Sequence, residues 1–125
     1  MTKNILDHQK HMIAQTLCRL GITANYAGFQ YTIDAVTMAT EDIGKLQLVT
    51  KQIYPDIAAK YNTGADQVRR NIEKICSLAW ERNPKLLSEL AMCELNRKPG
   101  TSEFLAILTL WQLNQTEASI LYQHL

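Results

Sequence analysis

The sequence predicts an all-α domain of about six helices. Three observations carry that prediction. Apolar residues recur at i, i+3/i+4 and i+7 along most of the chain. Pro55 and Pro84 stand where a helix would begin, since a first-turn proline lacks only an N–H that has no partner anyway. Gly21, the run Asn62-Thr63-Gly64 and the pair Asn83-Pro84 interrupt the apolar pattern as stop and restart signals.

At 125 residues, with 46% apolar and 20% charged side chains, the chain suits one globular domain rather than a disordered tail. No run of 18 or more apolar residues occurs, so no membrane-spanning helix is expected. The opening MTKNILDHQKH lacks the apolar core of a signal peptide. Cys18, Cys76 and Cys93 are odd in number and form no CxxC pair, which reads as reduced thiols in a cytoplasmic protein.

The first helix is expected from Asn4 or Ile5 to Leu20, with Ile5, Met12, Ile13, Leu17 and Leu20 as its apolar stripe. Gly21 follows as the left-handed terminating residue, with Ile22 folding back. His8 and His11 lie at i, i+3 beside Asp7, but further metal ligands are missing nearby, so a solvated helix face is the better reading. After a loop at Thr23–Ala27, a second helix runs from Gly28 to Asp42. Its Tyr31, Ala35, Met38 and Ala39 face inward, with Ile33 and Val36 flanking. Gly44 ends or bends it, and Leu46, Leu48, Val49 and Ile53 form an apolar patch leading helically into Tyr54-Pro55.

The stretch Tyr54–Trp80 reads as two helices joined by a tight turn. Ile57, Ala58 and Tyr61 are the apolar stripe of the first; Asn62 and Gly64 suit positive φ, and Thr63 or Asp66 is expected to cap the second. Val68, Ile72, Ile75 and Ala79 then mark one buried face, while Asp66, Gln67, Arg70, Glu73, Lys74 and Ser77 lie opposite. That is the pattern of a helix-turn-helix formed by the third and fourth helices, the second of which offers its early turns to a major groove. The fourth helix continues to Arg82. A short helix from Pro84 to Met92, with Asn83 as N-cap, packs through Leu86, Leu87 and Leu90. The loop Cys93–Gly100 carries Arg97 and Lys98, and Ser102 is expected to cap the last helix with Glu103 in its first turn. That helix is apolar on more than one face, through Phe104, Leu105, Ile107, Leu108, Leu110, Trp111 and Leu113. It is therefore either central or part of an interface. Trp80 and Trp111 sit in apolar runs and read as core residues.

Charge is unevenly spread. Residues 1–44 carry a net −1, residues 45–98 a net +4 and residues 99–125 a net −2. The basic excess surrounds the fourth helix, as nucleic-acid binding would require, although an excess of this size also suits an ordinary solvated face. The pairs Arg69–Glu73 and Asp66–Arg70 at i, i+4 fit either view. No phosphate-binding Gly-rich loop, GxSxG, HExxH or paired-Cys pattern occurs, and an enzyme is the least supported class. No cofactor is expected.

Four segments carry a resemblance: LGITANYAGFQY (Leu20–Tyr31), KQIYPDIAAKYNT (Lys51–Thr63), the stretch from Val68 to Trp80 with VRRNIEK and AW, and KPGTSEFLA (Lys98–Ala106). In register from Leu17 to Leu113, the chain resembles the C-terminal effector domains of the sporulation initiation regulator, stage zero sporulation protein A. The run IYPDIAAKYNT is the most specific part. The resemblance implies binding to double-stranded DNA, head-to-tail pairing as a homodimer on tandem sites, and contact with the sigma subunit of RNA polymerase. It also implies that Arg70 reads base edges and that Lys74 stands where the family has a histidine near the backbone. Gln67 and Glu73 stand in place of family arginines, and Arg69 in place of a glutamate, so the target sequence is expected to differ.

The candidate DNA-contacting residues are thus Thr63, Asp66, Gln67, Arg69, Arg70, Glu73, Lys74, Arg97 and Lys98. The family ordinarily carries a receiver domain before this one; the chain begins with Met1 and a helix and lacks a polar linker there. The expectation is a single-domain relative, residues 1–125, that phosphorylation does not gate in the usual way. Residues 114–125 lie beyond the resemblance and are expected, through Ile120, Leu121 and Leu125, to form an amphipathic extension that supports self-association. The alternative function is a protein-interaction module of the same fold, acting on another regulator or on polymerase.

Overall fold

The structure, a computed structural model, describes the backbone of residues 2–123 and the side chains of residues 5–116. It is all-α. Six α-helices follow one another: α1 (Thr2–Arg19), α2 (Ala27–Glu41), α3 (Tyr54–Lys60), α4 (Ala65–Arg82), α5 (Pro84–Ala91) and α6 (Thr101–Gln123). Between α2 and α3 the chain makes one 3₁₀ segment, Ile43–Gln47, and one π-helical segment, Val49–Ile53. No helix among the described residues is long and apolar enough to cross a membrane.

Local chemistry sets the helix ends. Gly21 has φ +93, its N–H donates to the Cys18 carbonyl at 3.0 Å, and Ile22 N–H reaches Leu17 O at 3.0 Å. This is the paired C-terminal closure that a left-handed residue permits, with Ile22 and Leu17 both buried beneath it. Asn62 closes α3 in the same way at φ 53, and Thr63 N–H donates to Ala58 O at 2.9 Å. Asn83 caps α5 as expected, its side-chain oxygen accepting from Leu86 N–H at 3.1 Å with Pro84 in the first turn.

Two expected caps are corrected. Gly64, at φ −91 and ψ 149, is the N-cap of α4, and no side chain caps it. Neither Thr63 nor Asp66 does so, because the Asp66 carboxylate turns instead to two arginines of its own helix. At α6, Ser102 lies inside the first turn. Gly100 O accepts from Phe104 N–H at 2.8 Å, and Glu103 reaches back to accept from Gly100 N–H at 3.3 Å. A carboxylate three residues into the helix thus takes an N–H that precedes it.

The central helix is α2, packed against α1, α3, α4 and α6. Ile33, Ala35, Val36 and Ala39 are buried there, while Tyr31 and Met38 are only partly covered. Polar side chains share this interior: Thr32 Oγ1 donates to Gly28 O and Thr37 Oγ1 to Ile33 O, each at 2.7 Å. A threonine hydroxyl satisfied by its own preceding turn can enter a core at little cost. The closest approach is at Gly28, where a Cβ would stand 2.3 Å from the Asn71 carbonyl oxygen of α4. Only glycine lets the two backbones meet at that distance.

Elsewhere the apolar stripes hold with local exceptions. Ile13 and Leu17 of α1 and Leu20 just beyond its end are buried, whereas Ile5 is 62% exposed. Val49 and Ile53 enter the core from the π-helical segment, but Leu48 stays exposed and Leu46 half-buried. On α6, Phe104, Leu105 and Leu108 are buried and Trp111 is packed against the core, while Leu110 is 50% exposed. Trp80 also packs against the core rather than standing free. The side chains of Ile120, Leu121 and Leu125 lie outside the described residues.

Candidate nucleic-acid interface

The amphipathic pattern of α4 sets its orientation. Val68, Ile72, Ile75, Cys76 and Ala79 are buried. On the outer side, Asp66, Gln67, Arg70, Glu73 and Lys74 are exposed and Arg69 is half-exposed. Side chains at 66, 70, 73 and 74 share one face because helical neighbours recur every three to four residues.

The turn before α4 is anchored from below by Asp34 of α2, a side chain only 6% exposed. It accepts from Tyr61 Oη at 2.5 Å, from Lys60 Nζ at 3.2 Å and from Gln30 Nε2 at 3.2 Å. Burial and the hydrogen bond to Asp34 both raise the Tyr61 phenol above its ordinary value. The Tyr61 ring also packs at a tilt of 59° against Tyr31, with centroids 5.1 Å apart. A buried carboxylate with three donors fixes the end of α3, and hence where α4 begins.

Four outer residues of α4 form one ion chain. Asp66 holds both arginines: Oδ1 accepts from Arg69 Nη2 at 3.0 Å and Oδ2 from Arg70 Nη2 at 2.8 Å. Arg69 reaches on to Glu73, Nη1 to Oε2 at 3.0 Å. The Arg69 guanidinium beside Asp66 holds its carboxyl below the usual carboxylate range, with Arg70 adding to the effect, and Arg69 is itself raised by the same contact. Both expected i, i+4 pairs are therefore present, and Asp66–Arg69 joins them into a chain of two positive and two negative groups. All four are solvated, so their mutual attraction adds little stability and can be exchanged for an external partner.

Lys74 stands apart from that chain. Its ammonium lies 5.3 Å from the centroid of the Tyr26 ring. Lys98 Nζ donates to Ser77 Oγ of α4 at 3.1 Å, which brings the 93–100 loop alongside this helix. The loop is held on its other side by Ser88, whose hydroxyl accepts from Leu95 N–H at 3.1 Å. Buried Cys76 donates to the Pro99 carbonyl at 3.3 Å, and burial pushes its thiol up to about 11.

Seven of the nine expected residues thus come together around α4: Asp66, Gln67, Arg69, Arg70, Glu73, Lys74 and, through Ser77, Lys98. Arg97 turns the other way, toward Glu103 of α6 at 3.5 Å. Thr63 is half-buried in the turn, its N–H engaged in closing α3. The sequence reading missed Tyr26 and Arg82. Arg82 Nη1 donates to Gly21 O at 2.6 Å, and its guanidinium carbon lies 5.9 Å from the Tyr26 ring centroid. Neither shows a spacing signal, because the contact joins the α1–α2 loop to α4 across the fold.

A solvated helix face whose arginines are held by exchangeable ion pairs, with Lys74 in excess and Lys98 of the neighbouring loop beside it, can meet a polyanion. Residues 13–111 match the family described as "Sporulation initiation factor Spo0A C terminal". That match covers most of the chain, including all of α2 to α5 and the first half of α6. The protein belongs to this family of C-terminal sporulation initiation factor domains, the DNA-binding effector domains of a sporulation regulator.

Proposed function

We propose that the protein is a sequence-specific double-stranded DNA-binding regulator of transcription, in which α3 and α4 act as a helix-turn-helix. The first three turns of α4 enter the major groove, Arg70 reads a base edge, and Lys74 and Lys98 neutralise phosphates. Pairing on tandem sites and contact with the sigma subunit of RNA polymerase belong to the same proposal. The observation that carries it is the division of α4: five buried apolar residues on one side and, on the other, an exposed charged face flanked by Lys98.

The ion chain bears on specificity. With Asp66 and Glu73 holding Arg69 and Arg70, the face presents little net charge until a partner takes the arginines over. A guanine offering two acceptors and a backbone phosphate can each take Arg70 from the carboxylate, but only the guanine does so in a sequence-dependent way.

Titration of a random-sequence duplex at about 50 and 200 mM salt tests the proposal. With roughly four to six phosphate contacts, affinity falls by at least ~100-fold across that range. A flat response, or no binding at the lower salt, favours the second reading, a module that binds another regulator or polymerase. The exposure of Met92 and Leu110, 74% and 50%, is the observation on that side.

A further inference from the structure

Tyr26 occupies the N-cap position of α2 without capping it: its backbone is extended, at φ −84 and ψ 132, and its side chain makes no capping bond. The ring, partly buried against the core, lies beside α4 instead. Two cations of α4, eight residues apart, converge on it. Lys74 Nζ lies 5.3 Å and Arg82 Cζ 5.9 Å from its centroid, both within reach of the attraction between a cation and an aromatic face.

The two cations differ in freedom. Arg82 is tied at 2.6 Å to the Gly21 carbonyl, and its other nitrogen meets the Tyr26 hydroxyl at 3.4 Å. It thereby braces the α1–α2 loop, and the ring with it, against the last turn of α4. Among the described residues, Lys74 has only the ring. The carboxylates of the early turns, Asp66 and Glu73, pair with Arg69 and Arg70. An ammonium carries three N–H donors, and a ring face engages it from one side, so donors remain for an anion. A lysine already held in one place loses less conformational freedom when a phosphate binds.

We propose that Tyr26 is a positioning residue for DNA-backbone contact: its ring, braced by Arg82, holds the Lys74 ammonium at the flank of α4 where it meets a phosphate. This rests on the DNA-binding reading above and extends it to a residue outside the α3–α4 unit.

The test is a double-mutant cycle on the full chain with a random-sequence duplex, using Tyr26→Phe, Tyr26→Leu, Lys74→Ala and the Tyr26→Leu/Lys74→Ala pair. Tyr26→Leu is expected to weaken binding about two- to fivefold, the weight of an exposed cation–π contact. Tyr26→Phe, which keeps the ring, binds like the unaltered chain. The double variant binds like Lys74→Ala alone, because the ring acts through the lysine. The Lys74 side-chain methylene protons, shifted by the ring in the free protein, lose that shift in Tyr26→Leu and keep it in Tyr26→Phe. Additive losses in the double variant, unchanged binding by Tyr26→Leu, or unshifted Lys74 protons in the unaltered chain overturn the proposal while leaving DNA binding intact. Absence of any duplex binding by the unaltered chain removes both.

Discussion

The Asn71 carbonyl oxygen of α4 lies 2.3 Å from the point where a Cβ on Gly28 would stand. Ile75 Cγ1 is 2.7 Å from the same point. The nearest obstacle is backbone, which cannot rotate away as a side chain could. Gly28→Ala is therefore expected to destabilise the fold by at least ~2 kcal/mol, lowering the melting temperature by roughly 5–10 °C. A thermal melt that matches the unaltered protein would contradict the close crossing of α2 and α4.

Gly64 makes the opposite case. Among the described residues nothing lies within 4 Å of its missing Cβ, and its φ of −91 is open to any residue. As the uncapped N-cap of α4 it leaves N–H groups of the first turn without a side-chain partner. Gly64→Ser supplies a hydroxyl acceptor and is expected to raise stability by about 0.5 kcal/mol, measured by urea unfolding. A loss of stability would mean that the helix begins elsewhere.

Alkaline pH probes one buried phenol, Tyr54, and one half-buried phenol, Tyr61. Burial pushes Tyr54 up to about 12 from an ordinary 10, and burial with the Asp34 hydrogen bond raises Tyr61. A phenol whose value is raised on folding favours the folded state while it remains protonated. Its contribution is thus complete below about pH 10 and is lost as pH climbs toward 12. The urea midpoint should fall across that interval, and Tyr54→Phe should flatten part of the fall. An identical pH profile in the variant would contradict the burial of that hydroxyl.

Asp66 is expected to act against indiscriminate binding. Asp66→Asn frees Arg69 and Arg70 and removes a negative charge from the face offered to phosphates. Affinity for random duplex should rise roughly threefold, and discrimination between sequences should narrow. Competition binding against a selected site measures both. An unchanged ratio of specific to random affinity would show that the ion chain plays no part in selectivity.

Much of this fold is legible in the sequence because short-range chemistry decides it. Gly21, Asn62 and Asn83-Pro84 each end or start a helix through bonds within a few residues, and the α4 pattern at Val68, Ile72, Ile75 and Ala79 marks its buried side. The central position of α2 is harder to read, since Thr32, Asp34 and Thr37 look like surface residues until their partners at Gly28, Tyr61 and Ile33 are known. The excess of apolar residues on α6 leaves open whether that helix is central or part of an interface, and the structure buries Phe104, Leu105 and Leu108 while Leu110 remains outward. Within the candidate site, the i, i+4 pairs are local and visible. The turning of Arg97 to Glu103 and the seat of Lys74 on Tyr26 depend on tertiary placement, which no spacing rule encodes.

In the proposed function the early turns of α4 read DNA, with Arg70 at a base edge. Selection of bound sequences from a random duplex library, run in parallel with the unaltered protein and Arg70→Ala, tests it most directly. The unaltered protein should yield one preferred element, expected to differ from that of the sporulation regulator because the resemblance implies arginines where Gln67 and Glu73 stand. Arg70→Ala should lose preference at one guanine-containing position, about 1–3 kcal/mol of discrimination, and keep the rest. Lys98→Ala, as control, should weaken all sequences evenly and reduce the salt slope by about 0.9. Base reading by α4 is contradicted if the unaltered protein selects no element, or if Arg70→Ala selects the same element with the same preference at every position.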